Sequence, residues 1–386
     1  MILRTIPTMT ISSNDTELSP LFAPSGHPDQ DVVEDLSPAW RVEVQSKSGQ
    51  VGYACGPGES LLYAGLRHGV GLPYECATGT CGSCRARVVS GEVEVGWDAA
   101  PGHANLKREK GDILMCQTRP HSDCVVRVPA NVQMGFSRHV VPDHRSGIID
   151  VVRQLTPDVM HFEITLKAPI SFDAGQFVIL RVPGLEGMRA YSMVNYSTET
   201  RRLEFVIKRK QGGGFSNWMF NGMPKGQTVA LFGPLGQATF HPYEGHNVLM
   251  VAGGSGIAGM MSILSRATQE NYFADKKGYV FFGVRTLADC FYLSEFSRNL
   301  SMAHGNLSIT LAISDEEVRS PDHPGHPGIQ VEGGMVHEVC ARAMKGRYDN
   351  LMSFIAGPPP MVEGALRTLI IEGKMTPDRI RYDKFG

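Results

Sequence analysis

The chain has 386 residues, enough for two or three domains. Hydrophobic residues make up 42% of it, which fills several cores and excludes a globally disordered chain. A formal net charge of −2 leaves no electrostatic footprint for nucleic acid, and none is expected as a partner.

Residues 1–37 are rich in Ser, Thr, Pro and Asp without sustained periodicity and read as a flexible arm. The opening run Met1–Pro7 is too short for the apolar core of a signal peptide. From Trp40 the pattern changes. Trp40, Val42 and Val44 alternate with polar residues, as in a half-buried strand, and a turn at Ser48–Gly49 leads to a second strand near Val51 and Tyr53. Glu59–His68 reads as a helix with Leu61, Leu62 and Leu66 on one side. A glycine- and cysteine-rich loop at 71–84 follows, then strands at Ala86–Val89 and Val125–Val128. These elements form a small mixed domain over 38–130.

Cys76, Cys81 and Cys84 are separated by four and two residues, and Cys116 follows after a further 31. That is the C-x4-C-x2-C…C spacing of a plant-type [2Fe–2S] centre, in which a short loop wraps one side of the cluster and a distant residue supplies the last thiolate. Gly79 and Gly82 let the backbone approach the sulfurs, and Arg85 and Arg87 are expected to add to the local field. Structural zinc prefers two close cysteine pairs, and disulfides suit neither the spacing nor a chain of this size. Cys55, Cys124, Cys290 and Cys340 read as small buried hydrophobes.

Residues 131–146 read as a linker. Over 147–243 short strands recur at Ile148–Leu155, His161–Leu166, Phe177–Val182, Ala190–Met193, Leu203–Ile207 and Thr228–Phe232, which suggests an antiparallel barrel. Arg189-Ala190-Tyr191-Ser192 supplies a cation, an aromatic ring and a hydroxyl, the three groups a flavin needs. Ile207-Lys208-Arg209 and the triple glycine ending at Gly214, before Phe215 and Ser216, add further cations and a phosphate-facing turn. Singly these are common features. Their order after a cluster motif distinguishes them.

Over 244–386 strands alternate with helices, which implies a parallel sheet covered on both faces. Strands are expected at Val248–Ala252, Tyr279–Gly283, Ser308–Ile313, Leu351–Ala356 and Arg379–Tyr382, and helices near 257–271, 334–345 and 360–372. The uncharged stretch Val248–Ser265 is too short for a membrane span and is broken by Gly253, Gly254, Gly256 and Gly259, so no membrane partner is expected. Gly253-Gly254-Ser255-Gly256 after the first strand makes a phosphate cradle, and Gly357-Pro358-Pro359 opens another turn after a later strand. No acidic residue ends the second strand. Arg285 stands just past it, which departs from the common dehydrogenase fingerprint. His323 and His326 lie among prolines in a loop over 314–332, where a mobile segment is favoured over a metal site.

The four cysteines, Arg-x-Tyr-Ser, the glycine turn and the Gly-Pro-Pro turn, in this order, resemble the NADH-dependent reductase components of bacterial multicomponent oxygenases over residues 38–386. The resemblance implies a β-grasp plant-type ferredoxin, an antiparallel flavin-binding β-barrel and a parallel-sheet nucleotide-binding domain, holding a [2Fe–2S] cluster, FAD and NADH. It implies that Arg189 holds a flavin phosphate, Tyr191 lies on the isoalloxazine and Ser192 sits near N5. Ile207 and Lys208 join the flavin contacts, and Gly214, Phe215 and Ser216 border the pyrophosphate. Gly253, Gly254, Ser255 and Gly256, with Gly357, Pro358 and Pro359, would bind the nicotinamide nucleotide, and Phe385 would shield the flavin face. Many relatives have a cysteine where this chain has Ala356. Asp315 would repel a 2′-phosphate and favours NADH, with Arg285 and Arg319 arguing mildly the other way. The implied partner is an oxygenase or hydroxylase component or a Rieske-type ferredoxin, met by a monomeric cytoplasmic protein. The alternative is the reductase of a sugar-nucleotide deoxygenation system with the same layout.

Overall fold

The computed structural model describes residues 39–135, 140–182, 184–185 and 187–384. The arm at 1–37 and Phe385 lie outside them. The chain divides into two compact units, one running to His144 and the other holding Arg145–Leu185 and the chain from Arg189.

The first unit holds, in chain order, β1 (Trp40–Ser46), β2 (Gly49–Cys55), α1 (Leu61–Arg67), β3 (Arg85–Ser90), β4 (Val93–Val95), β5 (Asp112–Leu114), β6 (Thr118–Pro120) and β7 (Cys124–Arg127). Its main sheet has the order β2-β1-β7-β3-β5. Val42 and Val44 are fully buried while Arg41 and Glu43 are not, the alternation that fixes which face of β1 looks inward. α1 is capped by Ser60, whose side chain accepts from Tyr63 N at 3.3 Å. It buries Leu61, Leu62, Tyr63 and Leu66, each worth about 1.5–3 kcal/mol. A single helix over a mixed five-stranded sheet is the β-grasp arrangement. Part of the segment expected as a linker packs on this unit: Val132 is buried, and its N–H donates to Ser48 Oγ at 2.8 Å.

The second unit, from Arg145 onward in β8 (Asp143–Thr156), goes on with β9 (Val159–Ile170), β10 (Phe177–Arg181), β11 (Arg189–Ser192), β12 (Thr200–Lys208), α2 (Gly214–Asn221) and β13 (Thr228–Leu235). The sheet order is β11-β10-β13-β8-β9-β12. Just past β11, Val194 N donates to Glu204 O of β12 at 2.8 Å, which brings the two edges together as a barrel. Phe162 and Phe205, stacked 5.1 Å apart, sit in its core.

The chain continues with β14 (Asn247–Gly253), α3 (Ile257–Gln269), β15 (Gly278–Val284), α4 (Leu293–Met302), β16 (Leu307–Ile313), β17 (Ile329–Gly333), α5 (Val336–Met344), β18 (Leu351–Gly357), α6 (Pro359–Arg367) and β19 (Ile380–Lys384). All five pairings are parallel, in the order β17-β16-β15-β14-β18-β19. Val248 and Met250 face one core while Leu249 and Val251 face the other, so β14 is buried on both sides. The first of these cores runs unbroken into the barrel, where it includes Ile149 and Phe162. α3 explains the continuity: Ser262 Oγ donates to Asn195 O at 2.9 Å, and Arg266 pairs with Asp173 at 3.0 Å. The barrel and the parallel sheet are therefore one compact unit rather than two separate bodies. Sequence reading missed α4, whose four apolar positions are diluted by Ser, Glu, Arg and Asn, and the short β17 behind the proline-rich loop.

Candidate functional site

In the first unit the loop after α1 gathers four thiols. Cys84 and Cys116 are buried with their sulfurs 3.3 Å apart, Cys76 is half-buried and Cys81 is exposed. Backbone N–H groups point at the sulfurs: Thr78 and Cys81 donate to Cys76 Sγ at 3.4 and 3.3 Å, and Ser83 donates to Cys81 Sγ at 3.4 Å. Hydrogen bonding from the Cys81 thiol, with these backbone donors, outweighs burial and holds Cys76 down at about 5. The same bond keeps the proton on Cys81, and burial pushes Cys116 up.

The loop's path is fixed at both ends. Tyr63 Oη donates to Ala77 O at 2.8 Å, holding a non-glycine residue at φ 54°. Gly102 N donates to Gly79 O at 2.9 Å, and a Cβ at Gly102 would lie 2.7 Å from that oxygen and 2.9 Å from Gly82 N. Four free thiols with inward-facing amides, in a wrap too tight for a side chain at 102, fit a [2Fe–2S] cluster. Neither Tyr63 nor Gly102 carries a motif that sequence reading could use. Of the two arginines expected to add to the field, Arg87 is paired with buried Asp112 at 2.7 Å, while Arg85 is exposed.

In the second unit β14 is the topological switch point. Connections run from it through β15 and β16 in one direction, and β18 lies on its other side. The carboxyl ends of such neighbouring strands are where open parallel sheets bind ligands. Here they carry Gly253–Gly256 and Gly357–Pro359. The two turns pack backbone to backbone: a Cβ at Gly256 would lie 2.3 Å from Ala356 O, and one at Gly357 would lie 3.2 Å from Gly253 N. Ala356 is buried there. Gly254 takes φ +53°, and a Cβ there would meet only Lys208 Cδ, at 4.0 Å.

The barrel residues face this edge. A Cβ at Gly259, on the first turns of α3, would lie 3.7 Å from Ser192 Cβ. Ser192 is buried, and Tyr191 packs against Phe215 with ring centroids 5.1 Å apart and against Phe162 at 6.0 Å. Burial pushes the Tyr191 phenol up. Ile207 is buried beside half-buried Lys208. α2 starts at Gly214, directly after the glycine turn. The Ser216 hydroxyl is occupied within the loop, accepting from Lys210 N at 3.1 Å, so that residue can meet a phosphate only through its backbone. A guanidinium, a phenol and a hydroxyl beside a helix start form a donor set that fits FAD.

Arg285 and Asp315 follow adjacent strands, and Asp315 N donates to Arg285 O at 2.8 Å. Asp315 is exposed, with Ser314 Oγ donating to it at 2.6 Å. His323 and His326 lie with ring centroids 5.1 Å apart, and His326 hydrogen bonds Ser297. Among the described residues His161, Glu163 and Glu204 could converge on a metal ion, but Arg202 lies 2.9 and 2.7 Å from the two carboxylates and supplies the cation.

Three family models match in order: the 2Fe-2S iron-sulfur cluster binding domain at 44–121, the oxidoreductase FAD-binding domain at 147–240 and the oxidoreductase NAD-binding domain at 250–367. The ferredoxin–NAD(+) reductase component of the alkene monooxygenase system of Xanthobacter autotrophicus is 33% identical over 86% of this chain and 97% of its own. The reductase component of phenol 2-monooxygenase from a Pseudomonas species is 30% identical, covering 85% of this chain and 90% of its own. The solved ferredoxin reductase of carbazole 1,9a-dioxygenase superposes with a TM-score of 0.77 at 30% identity, over 91% of this chain and all of that one. With the cluster loop, the barrel and the switch-point turns in the same order, the chain belongs to the NADH-dependent iron–sulfur flavoprotein reductases that serve bacterial multicomponent oxygenases.

Proposed function

We propose that this reductase delivers electrons to a soluble oxygenase or hydroxylase component, or to a Rieske-type ferredoxin that serves one, and that it does so as a monomer. The supporting observation is that Lys208 passes the glycine turn at the sheet's switch point while Ser192 packs on Gly259 in the helix that follows it, which puts flavin-type donors beside a nucleotide-type turn. When bound, FAD accepts a hydride from NADH and the [2Fe–2S] cluster carries single electrons onward.

The chain's own residues bind and orient. Arg189 would neutralise a flavin phosphate, with the backbone of Gly214, Phe215 and Ser216 at the pyrophosphate, and Lys208, beside Gly254, would face the nucleotide. Tyr191 and Ile207 would pack on the ring system, and Ser192 would hold a hydrogen bond to it from a site that excludes water. Gly253–Gly256 and Gly357–Pro359 would take the nicotinamide nucleotide, and Asp315, like-charged to a 2′-phosphate, would favour NADH. Phe385 would cover the flavin face. Cys76, Cys81, Cys84 and Cys116 would hold the cluster, and the exposed rim around Cys81, with Glu75 and Arg85, would meet the partner.

No helix among the described residues is long and apolar enough to cross a membrane. Eight free cysteines suit a reducing compartment, and the cytoplasm is the proposed location.

Anaerobic stopped-flow mixing with NADH, followed by EPR, tests the route. Flavin bleaching followed by a rhombic reduced-cluster signal supports it. Bleaching with a silent cluster rejects the cluster as the exit. NADH oxidation driven by a sugar-nucleotide deoxygenation system, and by no oxygenase, would move the partner to the other class.

A further inference from the structure

Beside the nucleotide turn two cations share one carboxylate. Asp158 lies in the tight turn between β8 and β9. Its Oδ2 is 3.2 Å from Lys208 Nζ and 3.6 Å from Arg285 Nη2. Thr156 Oγ1 donates to its Oδ1 at 3.0 Å, and Arg209 N donates to its carbonyl at 2.7 Å, so both the side chain and the turn are held in place. Arg285 is also 3.5 Å from Asp289, whose carboxylate is already used in capping Thr286. Lys208 runs past Gly254, and Arg285 stands at the carboxyl end of β15, the strand next to β14. The three charged groups thus line the sheet edge where the glycine turn opens.

The geometry is that of a contact made to be exchanged. A strong charge-assisted hydrogen bond runs at about 2.7–2.9 Å, and both of these are longer. The side chains are 27% (Asp158), 36% (Lys208) and 59% (Arg285) exposed, so each pair contributes at most about 1 kcal/mol. A diphosphate offers more oxygens and more charge to the same two cations than one shared carboxylate does.

We propose that Asp158 is the resident counterion of the nucleotide site. Without dinucleotide it holds Lys208 and Arg285 together across the barrel–sheet boundary. The dinucleotide's diphosphate takes over the cations, and on product departure the carboxylate recaptures them. Asp158 is therefore a positioning residue that lowers nucleotide affinity and favours release of the oxidised product. This rests on the reading that Gly253–Gly256 holds the nucleotide.

The test is calorimetric titration of the FAD- and cluster-loaded protein with ADP-ribose, which carries the diphosphate and cannot be oxidised or reduced by the flavin. It is run at several ionic strengths on wild type, Asp158→Asn, Asp158→Glu and the double variant Asp158→Asn/Arg285→Gln. Asp158→Asn should tighten binding by roughly threefold and steepen its salt dependence, because two cations are freed. Asp158→Glu should behave as wild type, and the double variant should lose the gain. In steady state Asp158→Asn should lower KM for NADH without raising kcat. Unchanged or weaker ADP-ribose binding by Asp158→Asn overturns the proposal, as does loss of FAD from that variant, which would assign the carboxylate to the flavin. Gly256→Ala separates the two failures. If this variant, with its flavin spectrum intact, binds ADP-ribose like wild type, the nucleotide-site reading itself is wrong; if it binds weakly while Asp158→Asn shows no gain, only the counterion role falls.

Discussion

The cluster loop and the switch-point turns are both glycine-rich, yet they use glycine for opposite ends. In the cluster loop the backbone bends inward, and amides of Thr78, Cys81 and Ser83 serve thiols of the same loop. The side chains are the ligands and the backbone tunes them. In the switch-point turns Gly256 and Gly357 bring two backbones together, with a Cβ at Gly256 meeting Ala356 O and the Met361 side chain packed beside Gly253 and Gly357. There the backbone is the ligand surface, and a side chain is an obstruction. The identity of the ligand atoms therefore decides which substitutions each region can survive.

The largest expected effect comes from removing a ligand in the first region. Cys116→Ser leaves an alcohol in a buried site where a thiolate is needed. It should abolish the reduced-cluster EPR signal and electron delivery to a one-electron acceptor, while NADH still bleaches the flavin. If delivery to the acceptor persists without the cluster signal, the cluster is not the exit.

The mirror experiment places a side chain in the second region. A Cβ at Gly256 would lie 2.3 Å from Ala356 O, against backbone that cannot yield as a side chain would. Gly256→Val should weaken NADH binding by about a hundredfold, equivalent to about 2.8 kcal/mol, with the cluster spectrum unchanged. A variant that binds NADH normally would show that the two turns do not need to touch.

Glu59 tests whether the cluster loop depends on the helix beneath it. It precedes α1, is buried, and lies 2.9 Å from Arg67 and 3.1 Å from His144. Burial pushes its carboxyl up, but hydrogen bonds from His144 and Arg67, and their charges, outweigh burial and lower it from 4.5 to about 2. A carboxylate depressed in the folded state contributes stability that is present above its unfolded value and lost as pH falls through the folded one. Glu59→Gln should thus cost about 2–3 kcal/mol at pH 7 in urea unfolding. The gap to wild type should close between pH 4.5 and about 2. A gap that stays constant through that window would mean the carboxylate's charge is not what stabilises α1.

Much of this was legible in the sequence because the relevant signals are local. The spacing of Cys76, Cys81 and Cys84, the alternation of Val42 and Val44, and the strand–glycine–helix order around Gly253–Gly256 each lie within a short window. What escaped is set by residues that meet only after folding. Gly102 closes on Gly79 from 23 residues away, and Asp158 finds Lys208 and Arg285 from distant strands. No periodicity encodes either meeting. The continuity of the barrel and sheet cores escaped for the same reason, since α3 reads as an ordinary amphipathic helix until Ser262 and Arg266 are seen reaching the barrel.

The smallest expected effect sharpens the comparison furthest. Ser255 lies inside the nucleotide turn, between Gly254 and Gly256, and is half-buried. A cysteine in the equivalent place of the cluster loop, such as Cys81 between Thr80 and Gly82, is indispensable through its side chain. If the turn works through main-chain amides, the Ser255 hydroxyl is incidental. A typical net hydrogen bond is worth about 0.5–1.5 kcal/mol, so a hydroxyl that did contact the nucleotide would show a loss of roughly two- to tenfold in Ser255→Ala. The expected change in the equilibrium dissociation constant for NAD+ is below about twofold, with the flavin and cluster spectra unchanged. A larger loss would mean that this turn, like the cluster loop, recruits a side chain as a ligand, and the contrast between the two regions would be one of degree.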